Sequence, residues 1–223
     1  MPTGSVHRRP RERDRAMVTT SDEGRVEPGA PSAGAGRWLR GTVPGELGGW
    51  VVVLADMTVF AVLFAVFLVQ RAADPTGFAQ ARGELDVAVG MVNTIVLLTS
   101  SLLVVYGVHA YRDARRDLAA RLFAGGAALG AVFLCVKVAE WGGKFASGIT
   151  PMSGDFFLYF FILTGIHALH VVLGIGGLLG LRALARTRRP RPSHTKVVEL
   201  GGIVWHMVDL LWIILFPLLY LAS

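Results

Sequence analysis

Residues 87–108, VAVGMVNTIVLLTSSLLVVYGV, run for 22 positions without one charged side chain. A helix needs about 20 apolar residues to cross the hydrocarbon of a bilayer, so this stretch is long enough to span. Four more runs of similar length flank it, at 50–69, 122–141, 156–181 and 201–221. None shows the strict alternation of a membrane β-barrel strand, and each is about twice that strand's length of roughly 10 residues. Lipid offers the backbone no hydrogen-bond partner, so such runs are helices. The predicted fold is therefore all-α: a polytopic membrane protein built as a bundle of five transmembrane helices.

Composition agrees. The 223-residue chain is 53% hydrophobic and 17% charged, against about 25% charge in soluble domains. Its single cysteine, Cys135, excludes a disulfide framework and any CxxC metal or redox motif. A net charge of +6 would suit nucleic acid if the arginines formed a patch. They sit instead in short segments between apolar runs, so no nucleic-acid partner is expected. With five spans, 18 of the 22 Lys and Arg residues fall on one side of the membrane and 3 on the other. The positive-inside rule then places the N-terminus in the cytoplasm and the C-terminus outside.

Residues 1–41 are rich in Arg, Gly, Pro and Ser and read as a disordered segment, leaving 42–223 as the membrane domain. No apolar run there suggests a cleaved signal peptide, and Met17 is a second possible start. The basic loop 186–191 reads as a neighbour of anionic headgroups. The spans do not repeat one another, which argues against a transporter built from duplicated halves. Gly125, Gly126 and Gly130 in the third span, with Gly176 and Gly180 in the fourth, are candidates for close helix approach.

Ionisable side chains deep in lipid cost several kcal/mol unless they face protein or water. Asp56, His167, His170, His206 and Asp209 are accordingly the informative residues. At about 1.5 Å rise per residue, Asp56, His170, His206 and Asp209 all fall in the half of the membrane nearer the cytoplasm. His167 and His170 are three apart, as are His206 and Asp209, so each pair shares a helix face. Glu199 lies on the face of His206 at the membrane boundary. Two readings follow: a buried network that holds or passes protons, or polar contacts that simply fasten helices together. A third, a metal or haem site on His167, His170 and His206 in a membrane electron carrier, is the alternative to weigh. Lys137 and Glu140 are also three apart. Lys137 is expected to snorkel outward beside Trp141, while the role of Glu140 stays open. Trp50, Trp141 and Tyr220 suit an aromatic belt, and Pro217 falls where a kink is tolerated.

Several of these segments are familiar. VNTIVLLTSS at 92–101, Ala139-Glu140-Trp141, TGIHALH at 164–170, and Glu199 followed by WHMVDLLW at 205–212 come in the order of one family. The chain resembles cytochrome c oxidase subunit 3, the accessory subunit of haem-copper oxidases, in a five-helix form that lacks the first two of seven helices. Ala55-Asp56 stands where most of that family has a small residue and a buried glutamate. With 43–46 leading into Trp50, the aspartate is similar to the nitric oxide reductase-associated branch.

The resemblance implies no catalytic residue and no metal or redox cofactor in this chain. Haem and copper would belong to partner subunits, and structural phospholipid would lie in a cleft between helices. The expected partners are the catalytic haem-copper subunit, other oxidase subunits and membrane lipids, in the cell membrane. Asp56 would be the buried carboxylate near the lipid cleft. Glu140, His167, His170, Glu199, His206 and Asp209 would form the polar interior, supporting assembly and proton uptake of the catalytic subunit.

Overall fold

The computed structural model describes residues 47–187 and 192–221. The segment 1–41 and loop positions 188–191 lie outside the described residues. Every regular element among them is helical: α1 (Leu47–Ala73), α2 (Pro75–Arg82), α3 (Val87–Arg112), α4 (Arg116–Ala146), α5 (Asp155–Ala185) and α6 (Pro192–Phe216). The last widens into a π-helical turn at Pro217–Leu221. Five of these helices are long and apolar enough to cross a membrane, as the apolar runs predict.

The helices outreach those runs. α4 and α5 hold 31 residues each, about 46 Å at 1.5 Å per residue, against about 30 Å of hydrocarbon. Their ends therefore project beyond it. α2 was not signalled by hydropathy, since it is short and polar. Its local chemistry is clear: Pro75 opens the helix, where a missing N–H costs nothing, and the Asp74 carboxylate accepts from Gly77 N at 3.0 Å. Asp86 caps α3 in the same way, accepting from Ala88 N at 2.8 Å. At Pro217 the ring displaces the backbone bond to the carbonyl four residues back, and the chain continues with the wider π spacing.

Helices α3, α4, α5 and α6 close a four-membered ring in which each touches the next, and α1 leans on α5 and α6. Burial follows that order. In the best apolar window of each span, 56% of the final span is buried, but only 18% of the first. Trp205 shows why α6 seats so deeply. A Cβ placed on Gly130 of α4 or Gly174 of α5 would come within 2.8 Å of its indole. Two glycines on neighbouring helices thus make the slot for one tryptophan. Gly126 also gives close approach, but Gly176 and Gly180 correct the expectation: an added Cβ would meet nothing within 4 Å at either. They face outward or line open space.

The near side, where α1 begins, carries the α3–α4 and α5–α6 turns. The far side carries α2 and the α4–α5 loop. At the far side α1 is held by rings: Phe67 lies 5.5 Å from Phe78 of α2 and 6.1 Å from Tyr159 of α5, centroid to centroid. Arg82 Nε donates to the Tyr220 carbonyl at 2.9 Å, and Lys144 Nζ donates to the Glu84 carbonyl. These bonds tie α2 and its following turn to the ends of α6 and α4.

Candidate functional site: three polar clusters between helices

The first cluster joins α1 to α5. His170 Nε2 and Asp56 Oδ1 are 2.9 Å apart, and the imidazole packs edge-on against Phe60. His170 Nδ1 lies 2.8 Å from the Ile166 carbonyl. A carbonyl only accepts, so Nδ1 carries a hydrogen. The Nε2–Oδ1 contact then holds one proton, either on an imidazolium or on the carboxyl. In both forms the pair is neutral overall. Asp56 Oδ2 has no partner. Beside the pair opens a cavity of about 680 Å³ between α1, α5 and α6, lined also by Leu173, Gly177, Trp205 and Val208.

The second cluster joins α3 to α6. Ser101 Oγ is 2.5 Å from His206 Nδ1, and the same hydroxyl faces the Asp209 carboxylate. Asp209 is buried, with Oδ1 unpartnered. Toward the near side, Arg112 donates through Nε and Nη2 to Glu199 Oε1 at 2.9 and 2.6 Å. A small cavity of about 200 Å³ reaches from that ion pair to His206.

The third cluster corrects an expectation. Lys137 does not snorkel outward: its side chain is 2% exposed and that of Glu140 8%. Lys137 Nζ donates to Glu140 Oε2 at 2.7 Å and to the Tyr220 hydroxyl at 2.8 Å. The Tyr220 hydroxyl in turn donates to Glu140 Oε1 at 2.6 Å. The ammonium also lies 5.0–5.3 Å from the ring centres of Phe160, Trp212 and Tyr220. A buried cation is tolerable when it meets an anion, a hydroxyl and π-faces together. The π-helical turn brings Tyr220 to this point, so it is no belt residue.

His167 stands apart from its neighbour His170. It is fully buried between the rings of Phe133 and Trp212, at 5.6 and 5.2 Å, and neither nitrogen has a polar partner. The histidines of the metal reading thus turn to different surroundings: His170 to Asp56, His206 to Ser101, His167 to aromatic faces. Among the described residues no three His, Cys, Asp or Glu side chains converge as a ligand set. Sequence reasoning passed over Ser101, Arg112 and Thr94, whose hydroxyl accepts from Trp212 Nε1 at 2.9 Å. The signal for Thr94 was available in Trp212, since a buried indole N–H needs an acceptor.

Comparison with known proteins places this architecture. A family model described as cytochrome c oxidase subunit III matches residues 46–223. The chain is similar to cytochrome c oxidase subunit 3 of Thermostichus vulcanus, with 36% identity over 182 residues, 79% of this chain and 87% of that protein. It is similar also to the probable quinol oxidase subunit 3 of Staphylococcus haemolyticus, 29% identical over 180 residues, 80% of this chain and 89% of that one. A third relative is the heme-copper oxidase subunit I+III of Aeropyrum pernix, 31% identical over 189 residues, which are 78% of this chain and 22% of the longer protein. The family model alone covers most of the sequence, and it does so across all five spans: the chain belongs to the cytochrome c oxidase subunit III family.

Proposed function

We propose that this chain is a non-catalytic accessory subunit of a respiratory haem-copper oxidase, lodged in the cell membrane beside the catalytic subunit. One observation carries the partner: the Aeropyrum pernix relative is a subunit I+III, in which the region like this chain is part of one polypeptide with subunit I. That fusion supports an association of the two where they are separate chains. The positive-inside charge bias supports a cytoplasmic near side, with Arg115, Arg121 and Lys196 there meeting anionic phospholipid headgroups.

The polar clusters fit support rather than chemistry. Each joins two spans through hydrogen bonds or an ion pair, the kind of contact that fastens membrane helices together. Asp56 and His170 hold one transferable proton at the edge of the large cavity, which supports a part in the proton supply of the partner. Ser101, His206, Asp209, Lys137 and Glu140 fasten α3, α4 and α6. The cavity between α1, α5 and α6 is of a size and polarity to hold a membrane amphiphile.

The test is purification of the tagged chain from native membranes in mild detergent. The expected eluate contains the catalytic subunit and shows its haem spectrum. A chain that elutes alone and colourless overturns the proposal.

A further inference from the structure

We propose that His206 and Ser101 form a proton relay that loads Asp209 from the near surface through the groove between α3 and α6. The contacts that fasten these two helices then also give the chain a proton store separate from the Asp56–His170 pair.

The route begins with helix periodicity. At about 100° of turn per residue, Glu199 and His206 share one face of α6, and Arg112 and Ser101 share one face of α3. Where the two helices pack, a groove of about 200 Å³ runs from the Arg112–Glu199 ion pair to His206, walled by Val105, Val108, Gly202 and Ile203. A water occupies about 30 Å³, so the groove has room for several. Its polar mouth lies at the near boundary. Asp209 lies about 15 Å beyond Glu199 along α6, at about 1.5 Å per residue.

The hydrogen-bond inventory supplies the relay. His206 Nδ1 meets Ser101 Oγ at 2.5 Å. Nε2 has no protein partner among the described residues and is not sealed in the interior, so it is the nitrogen open to the groove. The serine hydroxyl stands between two groups that can each accept its hydrogen, Nδ1 and the Asp209 carboxylate. With Asp209 ionised, Oγ–H donates to the carboxylate and Nδ1–H donates to Oγ. A hydronium ion in the groove then gives its proton to Nε2. Nδ1–H passes to Oγ as Oγ–H passes to the carboxylate. The imidazole ends neutral with its hydrogen on Nε2, the hydroxyl donates to Nδ1, and Asp209 is a carboxylic acid. One proton is taken up and one negative charge is lost; the reverse sequence returns the proton to the groove.

Among the described residues no cation pairs with Asp209. Arg112 of α3 is spent on Glu199, Lys137 of α4 on Glu140, and His170 of α5 on Asp56 of α1. His167 of α5 sits between aromatic rings, and His109 Nδ1 lies on the Val105 carbonyl at the groove mouth. A carboxylate held in a membrane without a counter-ion is costly, and a proton removes that cost.

The experiment follows the full chain in dioleoylphosphatidylcholine nanodiscs by time-resolved infrared spectroscopy after photorelease of a proton. The expected signal includes a carbonyl stretch of a newly protonated carboxyl that Asp209→Asn removes and Asp56→Asn keeps; Asp209→Ser serves in the same way if the amide variant does not fold. Ser101→Ala replaces the hydroxyl with a methyl that carries no proton. It slows this component at least tenfold, while the final amplitude in acidic buffer matches that of the parent chain. Ser101→Thr keeps a hydroxyl and holds the rate within threefold. His206→Gln still hydrogen-bonds but takes up no proton, and slows loading at least tenfold. Ile203→Trp fills the groove and does the same with the relay intact. A rate that falls at fixed amplitude is a change that fastening alone does not produce. If no component is lost with the Asp209 carboxyl, or if the rate is unchanged in either Ser101→Ala or Ile203→Trp, the inference is overturned.

Discussion

Removing one charge from the Lys137–Glu140–Tyr220 cluster should cost far more than removing two. Glu140 accepts from Lys137 Nζ at 2.7 Å and from the Tyr220 hydroxyl at 2.6 Å. Hydrogen bonds to charged groups contribute about 1.5–3 kcal/mol each, so Glu140→Leu forfeits two of them. It also strands a buried ammonium. Breaking a buried pair from one side costs about 3–5 kcal/mol, and the two routes to the figure agree. Lys137→Met strands the carboxylate and should cost a similar amount. The double variant Lys137→Met/Glu140→Leu leaves only the Tyr220 hydroxyl without a partner, roughly 1–3 kcal/mol. A double-mutant cycle, read by reversible unfolding in mixed micelles of increasing sodium dodecyl sulfate, should therefore give a coupling of at least ~2 kcal/mol. If the double variant costs the sum of the singles to within about 0.5 kcal/mol, the two side chains do not interact, and Lys137 reaches the interface after all.

Three further outcomes follow. Asp209→Leu removes the buried carboxylate beside Ser101 and should destabilise the bundle by about 1–3 kcal/mol, whereas Asp56→Asn should leave unfolding unchanged and alter turnover of the partner complex. Equal loss of stability in both would make Asp56 purely structural. Gly174→Val pushes into the Trp205 indole, already 2.8 Å from where a Cβ would stand, and overpacking of this kind costs about 1–3 kcal/mol; tryptophan fluorescence should shift with it, and an unshifted spectrum would mean the slot is loose. Arg112→Ala should cost no more than about 1 kcal/mol, because the arginine is half exposed and such pairs are screened; a larger loss that persists in high salt would contradict that.

The spans were legible because transfer into lipid is a property of composition, readable without neighbours. α2 was not, because its signal is an Asp-Pro start rather than hydropathy. Lys137 was misread through one boundary. A third apolar run ending at Trp141 puts the lysine close to water, but α4 continues to Ala146. Those five residues add about 7.5 Å, and Lys144 is the cation at the edge. Depth alone identified Asp56, His170, His206 and Asp209 as groups needing partners. It could not pair them: Asp56 and His170 are 114 residues apart, and no helical period carries that information. The same-face spacing of His167 and His170 was misleading for a physical reason. Three residues is about 300° of turn, and the remaining 60° sends one ring to α1 and the other between α4 and α6.

The central claim, that this chain supports redox chemistry it does not perform, is tested most directly by dissociation. The purified complex is stripped of this subunit with detergent, and haem and copper are measured in both fractions. The account predicts all haem and copper in the residual catalytic complex, which still turns over, and a colourless fraction containing this chain. Haem or copper leaving in stoichiometric amount with this chain would contradict it.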